Sequence, residues 1–176
     1  MNAMNTWFEV MQWYHREARL LDERRFDAWL ELLAAEVRYR VPSRYLRNPA
    51  DVRDFATWSV DCELSNGAQQ LDLIDDDRAA LASRVARLTS GMAWSESPPS
   101  FTRRFVSNLE IEPAEGGVNA VTALLLVKNR ANERDLVSAQ RRDELVRDAS
   151  GALLLRSRLV VLDEAVLPVA NLSAIL

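Results

Sequence analysis

The sequence predicts an α+β fold in which helices at the start pack inside a strongly curved, mainly antiparallel sheet. Three observations carry this prediction. Apolar residues recur at helical spacing up to Leu33, the period changes to two at Val37, and four long strand-like runs joined by short turns follow residue 100. Wrapped around the opening helices, such a sheet forms a cone-like half-barrel. The 176 residues are expected to make a single domain (1–176). A chain of this size buries about 70% of the surface its unfolded form exposes, so no disulfide or metal staple is required.

The first helix is carried by Trp7, Val10, Met11, Tyr14, Ala18 and Leu21, with Glu9, Gln12, Arg16 and Arg19 on the opposite side. Asp22 to Arg25 is a polar break. Phe26, Trp29, Leu30 and Leu33 repeat the helical pattern, with Asp27 in the first turn, where the helix dipole favours an anion. Val37, Tyr39 and Val41 then alternate with Arg38 and Arg40 as a half-buried strand closed by Pro42.

Residues 43–73 carry a weak pattern with scattered aromatics (Tyr45, Phe55, Trp58) and an Asn66–Gly67 turn signal. A stretch of that length without regular structure inside a compact domain is usually functional or an interaction element. Asp75–Asp76–Asp77 offers N-cap candidates for a third helix bearing Leu81, Val85 and Leu88, with arginines at 84 and 87 and Gly91 at its end.

After Pro98–Pro99, a strand from Thr102 to Glu112 stops at Pro113, and Gly116–Gly117 supplies a hairpin turn. Val118 to Val127 is apolar on both faces, as a strand covered on both sides would be. Glu133 to Arg147 and Leu153 to Leu162 read as two more strands around a turn at Asp148–Gly151. The tail, Asp163 to Leu176, is too apolar for a free end and is expected to dock.

Composition excludes much chemistry. The chain has one histidine, His15, and one cysteine, Cys62. A Rieske cluster needs two of each, a facial-triad iron two histidines and a carboxylate, and structural zinc four Cys or His ligands, so one copy of this chain builds none of them. A formal net charge of −4 argues against nucleic acid or an anionic membrane as partner. Lys128 is the only lysine, and the other 21 of the 22 basic residues are arginine, which suits protein interfaces. The lone Cys62, an N-terminus without a basic region and apolar core, and no apolar run of about 18 residues together point to a cytoplasmic protein with no membrane span.

His15 is the one side chain with an ordinary pKa near neutrality, so it is the obvious general base, with Asp22 or Asp61 as its acid in the mouth of a cone. The competing reading places His15 at the edge of the core with a local hydrogen bond. Asp75–Asp76–Asp77 has the hard oxygen ligands of a magnesium site, but helix capping accounts for all three. Cys62 has no neighbouring base or helix N-terminus to activate it. There is no G-x-S-x-G, P-loop or G-x-G-x-x-G. Arg103, Arg104, Arg130, Arg141, Arg142, Arg156 and Arg158 lie on the strands or their turns, with Asp135, Asp143, Glu144 and Asp163 as possible partners. They form either a solvated outer face or a face buried in an oligomer.

Three segments then carry a resemblance: YHREARLLDERRFDAWLELLAAEVRYRVPSR (Tyr14 to Arg44), LTSGMAWSESPPSFTRRFVSNLEI (Leu88 to Ile111) and VVLDEAVLPVANLSAIL at the end. In this order over nearly the full length, the chain resembles the β (small) subunit of aromatic-ring-hydroxylating Rieske dioxygenases of the benzene, biphenyl and phenylpropionate type. The resemblance implies a cystatin-like (NTF2-like, SnoaL-like) cone and a non-catalytic, structural role in an α3β3 hexamer. It also implies that the [2Fe–2S] Rieske cluster, the mononuclear Fe(II) and the substrate pocket sit in the α subunit, with electrons from NADH. The resemblance departs at the tail, Ala174–Ile175–Leu176, where relatives often carry aromatics. On this reading the expected subunit contacts are Trp94, Arg103, Arg104 and Asn108 in the central block and Asn171 and Leu172 in the tail, and no catalytic or metal residue belongs to this chain. The alternative is a stand-alone cone-fold isomerase, dehydratase or hydrolase using His15 with Asp22 or Asp61.

Overall fold

The computed structural model describes residues 3–45, 59–65, 71–90, 100–130, 133–165 and 174–176. Helix α1 runs Ala3–Asp22 and α2 Phe26–Leu30, followed by strand β1 at Leu33–Val41. A short 3-10 turn, Val60–Glu63, precedes β2 (Ile74–Asp77) and helix α3 (Arg78–Thr89). The chain then forms β3 (Phe101–Ala114), β4 (Gly117–Arg130), β5 (Glu133–Arg147) and β6 (Leu153–Leu162).

All six strands form one sheet in the order β2-β1-β6-β5-β4-β3. Every pairing is antiparallel except β1 with β6, which is parallel. Register shifts at Leu33/Arg38, Ser107/Glu110 and Glu144/Leu145 interrupt the ladders. Such bulges bend and twist strands, which is how a sheet this long curls around a helix. Asn108 stands in one of them at φ 52°, a left-handed conformation that asparagine tolerates well. Helix α1 crosses the concave face. Its Trp7 indole donates to Leu109 O on β3 at 3.2 Å and its Trp13 indole to Leu153 O on β6 at 3.0 Å. Val10, Trp13, Tyr14, Leu20 and Leu21 from α1 join Trp29, Tyr39, Leu81, Leu126, Leu145 and Leu155 in one core cluster.

Several expectations are corrected. Leu33 opens β1 instead of continuing α2, because Leu32 and Leu33 leave the helix to pair with β6. Asp75 and Asp76 lie in edge strand β2, opposite Arg40 and Tyr39. Asp77 alone caps α3, accepting from Ala80 N at 2.8 Å. Strand β3 passes through Pro113, which an edge strand permits because one of its sides makes no ladder bonds. The hairpin turn is Glu115–Gly116, with Gly116 at φ +71°, and Gly117 already pairs in β4. Strand β4 is covered on one face only: Val118, Ala120, Leu124 and Leu126 are buried, while Leu125 keeps 40% of its surface exposed.

Candidate functional site

A cluster of charged side chains lies within the apolar interior of the cone. Glu17 lies on the apolar face of α1, one turn from Trp13, Tyr14, Leu20 and Leu21, and is 1% exposed. Its Oε1 accepts from the Trp29 indole at 3.2 Å and from Arg158 at 2.8 Å, and its Oε2 from Arg158 at 2.9 Å and Arg141 at 3.2 Å. Asp143 on β5 accepts a two-point contact from Arg158 at 2.9 and 2.7 Å and the Tyr14 hydroxyl at 2.8 Å. Arg141 stacks 5.0 Å from the Tyr14 ring centroid, and its Nε donates to Thr122 Oγ1 at 3.2 Å. Two guanidiniums thus share two carboxylates, which lets charged groups survive without water.

The electrostatics follow from that arrangement. Burial pushes the Glu17 carboxyl up, but Arg158 and Arg141 outweigh it and hold the group below its ordinary value. Burial would lower the Arg158 guanidinium, yet Asp143 and Glu17 raise it well above its ordinary value. Burial, followed by the charge on Asp143, pushes the Tyr14 phenol well up. Glu17 is therefore a carboxylate with four donors already on its two oxygens. Such a group fixes the fold and has little capacity to accept a proton from a substrate.

The catalytic alternative does not assemble. His15 is exposed on α1, outside the core. Asp22 shares a groove of about 550 Å³ with His15, but its oxygens are taken by Arg104 at 2.5 Å, Arg104 N at 2.9 Å and Thr102 Oγ1 at 3.1 Å. Asp61 is exposed, lines no part of that groove and binds Arg142 at 2.6 Å. Cys62 is exposed beside Ser59. Asp75 pairs with Arg38 and Asp76 with Arg84, so the acidic triplet is divided among separate partners. Among the described residues no cluster of three or more His, Cys, Asp or Glu could hold a metal ion.

The strand arginines divide between the two faces. Arg141, Arg158 and Arg104 point inward, while Arg103 is exposed. The Arg104 side chain is 2% exposed and bound to Asp22, so its guanidinium is not at the surface to meet a partner. Asn108 is exposed on β3. Trp94, Asn171 and Leu172 lie outside the described residues. The inward network was not among the expected sites, yet the sequence carries a signal for it. Arg141 and Asp143 alternate in step with Val137, Ala139 and Leu145 on the buried face of β5, and Glu17 interrupts an apolar helix stripe.

Outside, the sheet carries exposed apolar residues. Phe101, Phe105, Leu125 and Leu136 are 81%, 55%, 40% and 50% exposed. Phe105 faces Leu125 across β3–β4, and Leu136 faces Val127 across β4–β5, which makes the patch continuous. Arg103 borders it opposite Val127. Grouped apolar and aromatic residues with an arginine at the edge have the composition of a protein–protein contact.

A family profile described as ring hydroxylating beta subunit matches residues 16–169. The chain is 36% identical over 169 residues to the benzene 1,2-dioxygenase subunit beta of Pseudomonas putida, covering 94% of this chain and 86% of the relative. It is 32% identical to the biphenyl 2,3-dioxygenase subunit beta of Rhodococcus jostii, with the same coverage. Among solved structures it is similar to naphthalene 1,2-dioxygenase with indole bound in the active site, at TM-score 0.83 and 25% identity over 100% of this chain and 88% of that one.

Proposed function

The chain belongs to the ring-hydroxylating dioxygenase β-subunit family, and on that premise we propose that it is a non-catalytic platform, assembling with the iron-bearing α subunit as an α3β3 hexamer. The complex cis-dihydroxylates an aromatic ring with O₂ and electrons originating in NADH, in the cytoplasm. The Rieske cluster, the mononuclear iron and the substrate pocket belong to the α subunit. This chain's donor set does not fit either iron centre, because one histidine and one cysteine cannot supply two of each, or two histidines and a carboxylate.

The observation that carries the platform role is the ion-paired interior. Within the apolar core, Glu17, Asp143, Arg141 and Arg158 are bonded to one another, and all four are no more than 4% exposed. What this chain offers is a rigid body and an outer sheet face. The subunit contacts comprise Arg103 and Asn108 at the surface of β3, the adjoining Phe101, Phe105, Leu125 and Leu136, and Trp94, Asn171 and Leu172. Arg104 supports that surface from beneath through Asp22.

Co-expression with a gene for a catalytic α subunit of the same family tests the reading. The expected result is a single αβ complex of hexameric native mass, with iron present. A monomeric chain that turns over a substrate unaided would overturn it.

A further inference from the structure

The last three residues, Ala174–Ile175–Leu176, lie inside the cone. Ile175 is 3% exposed and Leu176 is fully buried. They belong to no helix or strand, so burying their backbone groups requires other partners. Those partners are side chains from three different strands. Arg104 on β3 donates to Ile175 O at 2.5 Å, and Arg158 on β6 donates to Leu176 O at 3.2 Å. Tyr39 on β1 does both jobs: its hydroxyl donates to Leu176 O at 2.5 Å and accepts from Leu176 N at 3.0 Å.

Each charged partner is also anchored away from the tail. Asp22 holds Arg104, and Glu17 and Asp143 hold Arg158. The Arg158 guanidinium lies 5.8 Å from the centroid of the Tyr39 ring. The charged donors are thus held by groups outside the tail, which favours a preorganised binding site. The fit is close: the space left beside Ala174 and Ile175, bordered by Arg104 and Lys128, is about 20 Å³, room for roughly one water.

We propose that Ala174–Leu176 is a tethered ligand, filling a site for a short apolar peptide that Arg104, Arg158 and Tyr39 recognise inside the cone. The site accepts the same peptide in trans once the tail is removed. Tethering gives the tail a high effective concentration, so the intact chain excludes a free competitor. This inference concerns the chain's own interior and does not depend on the α subunit.

Two measurements on the full-length chain and one on a shortened chain test it. Hydrogen exchange should find the Leu176 amide slowed by about 100-fold or more relative to an unstructured peptide. Tyr39→Phe should speed that amide about tenfold, on the scale of one lost hydrogen bond, without changing the Leu155 amide bonded to Leu32 O. A chain lacking residues 174–176 should bind acetyl-Ala-Ile-Leu saturably in calorimetry, whereas the full chain should not. An unprotected Leu176 amide, a Tyr39→Phe variant with unchanged exchange, or a folded shortened chain that ignores the peptide would overturn the proposal. If the shortened chain does not fold, the exchange pair decides alone. A tail-dependent dimer of the full chain would also overturn it, since the tail would then occupy a second copy.

Discussion

Glu17 and Arg158 meet at two points, 2.8 and 2.9 Å, although 141 residues separate them in sequence. The pair ties the first helix to the last strand in a place water does not reach, with the two side chains 1% and 0% exposed. Removing one partner of such a pair leaves the other charge buried without compensation. Glu17→Gln should therefore lower the unfolding free energy by about 3–5 kcal/mol, read from urea denaturation of the isolated chain.

The same pair sets the acid limb of stability. The Glu17 pKa is lowered below its ordinary 4.5 in the folded state, so the unfolded chain binds more protons as pH falls. The stability it contributes is complete above that ordinary value and is lost as pH drops through the lower folded one. Glu9, Asp75 and Glu144, each lowered first by a hydrogen bond from an arginine, act in the same direction but are more exposed and count for less. Urea midpoints measured against pH should fall on the acid side, and Glu17→Gln should flatten that fall.

Gly117 and Gly116 are neighbours with opposite constraints. A Cβ at Gly117 would sit 1.9 Å from Leu145 O, whereas at Gly116 nothing lies within 4 Å and only the φ of +71° is costly. Gly117→Ala forces β4 and β5 apart and should cost more than the roughly 1–2 kcal/mol of strain expected for Gly116→Ala. Thermal melts of the two variants give the order.

Exposed apolar residues that serve assembly should be separable from those that serve folding. Phe105→Glu and Leu125→Glu change the outer face, where a substitution away from special features alters stability by about 0.5 kcal/mol or less. Both variants should melt within a few degrees of the parent and fail to co-purify with the α subunit. Arg103→Glu should behave the same way. Charge reversal at the buried Arg104 should instead destabilise the chain itself, because Asp22 and Ile175 O lose their donor.

Much of this architecture was legible in the sequence. Strands β5 and β6 have the ends expected from the sequence, Glu133–Arg147 and Leu153–Leu162, because polar residues bound them sharply. Helix α3 followed from Leu81 and Val85, both buried. Strand β2 was hidden, since Ile74–Asp77 is short, three-quarters acidic and stabilised by pairing with β1 and by ion pairs to Arg38 and Arg84. The ionic core was hidden for a related reason. An arginine on a strand reads as solvent-facing until its carboxylate partner is known, and the partner of Arg158 sits on a helix at the other end of the chain. Of the tail that was expected to dock, Ile175 and Leu176 lie in the chain's own interior.

The most direct test of the platform role is to separate the two subunits of the purified complex and assay each for iron and turnover, then recombine them. Iron should stay with the α subunit, this chain alone should carry neither iron nor activity, and recombination should restore both mass and turnover with His15→Ala in this chain as readily as with the parent. Iron or turnover retained by this chain alone, or activity abolished by His15→Ala in an intact complex, would contradict it.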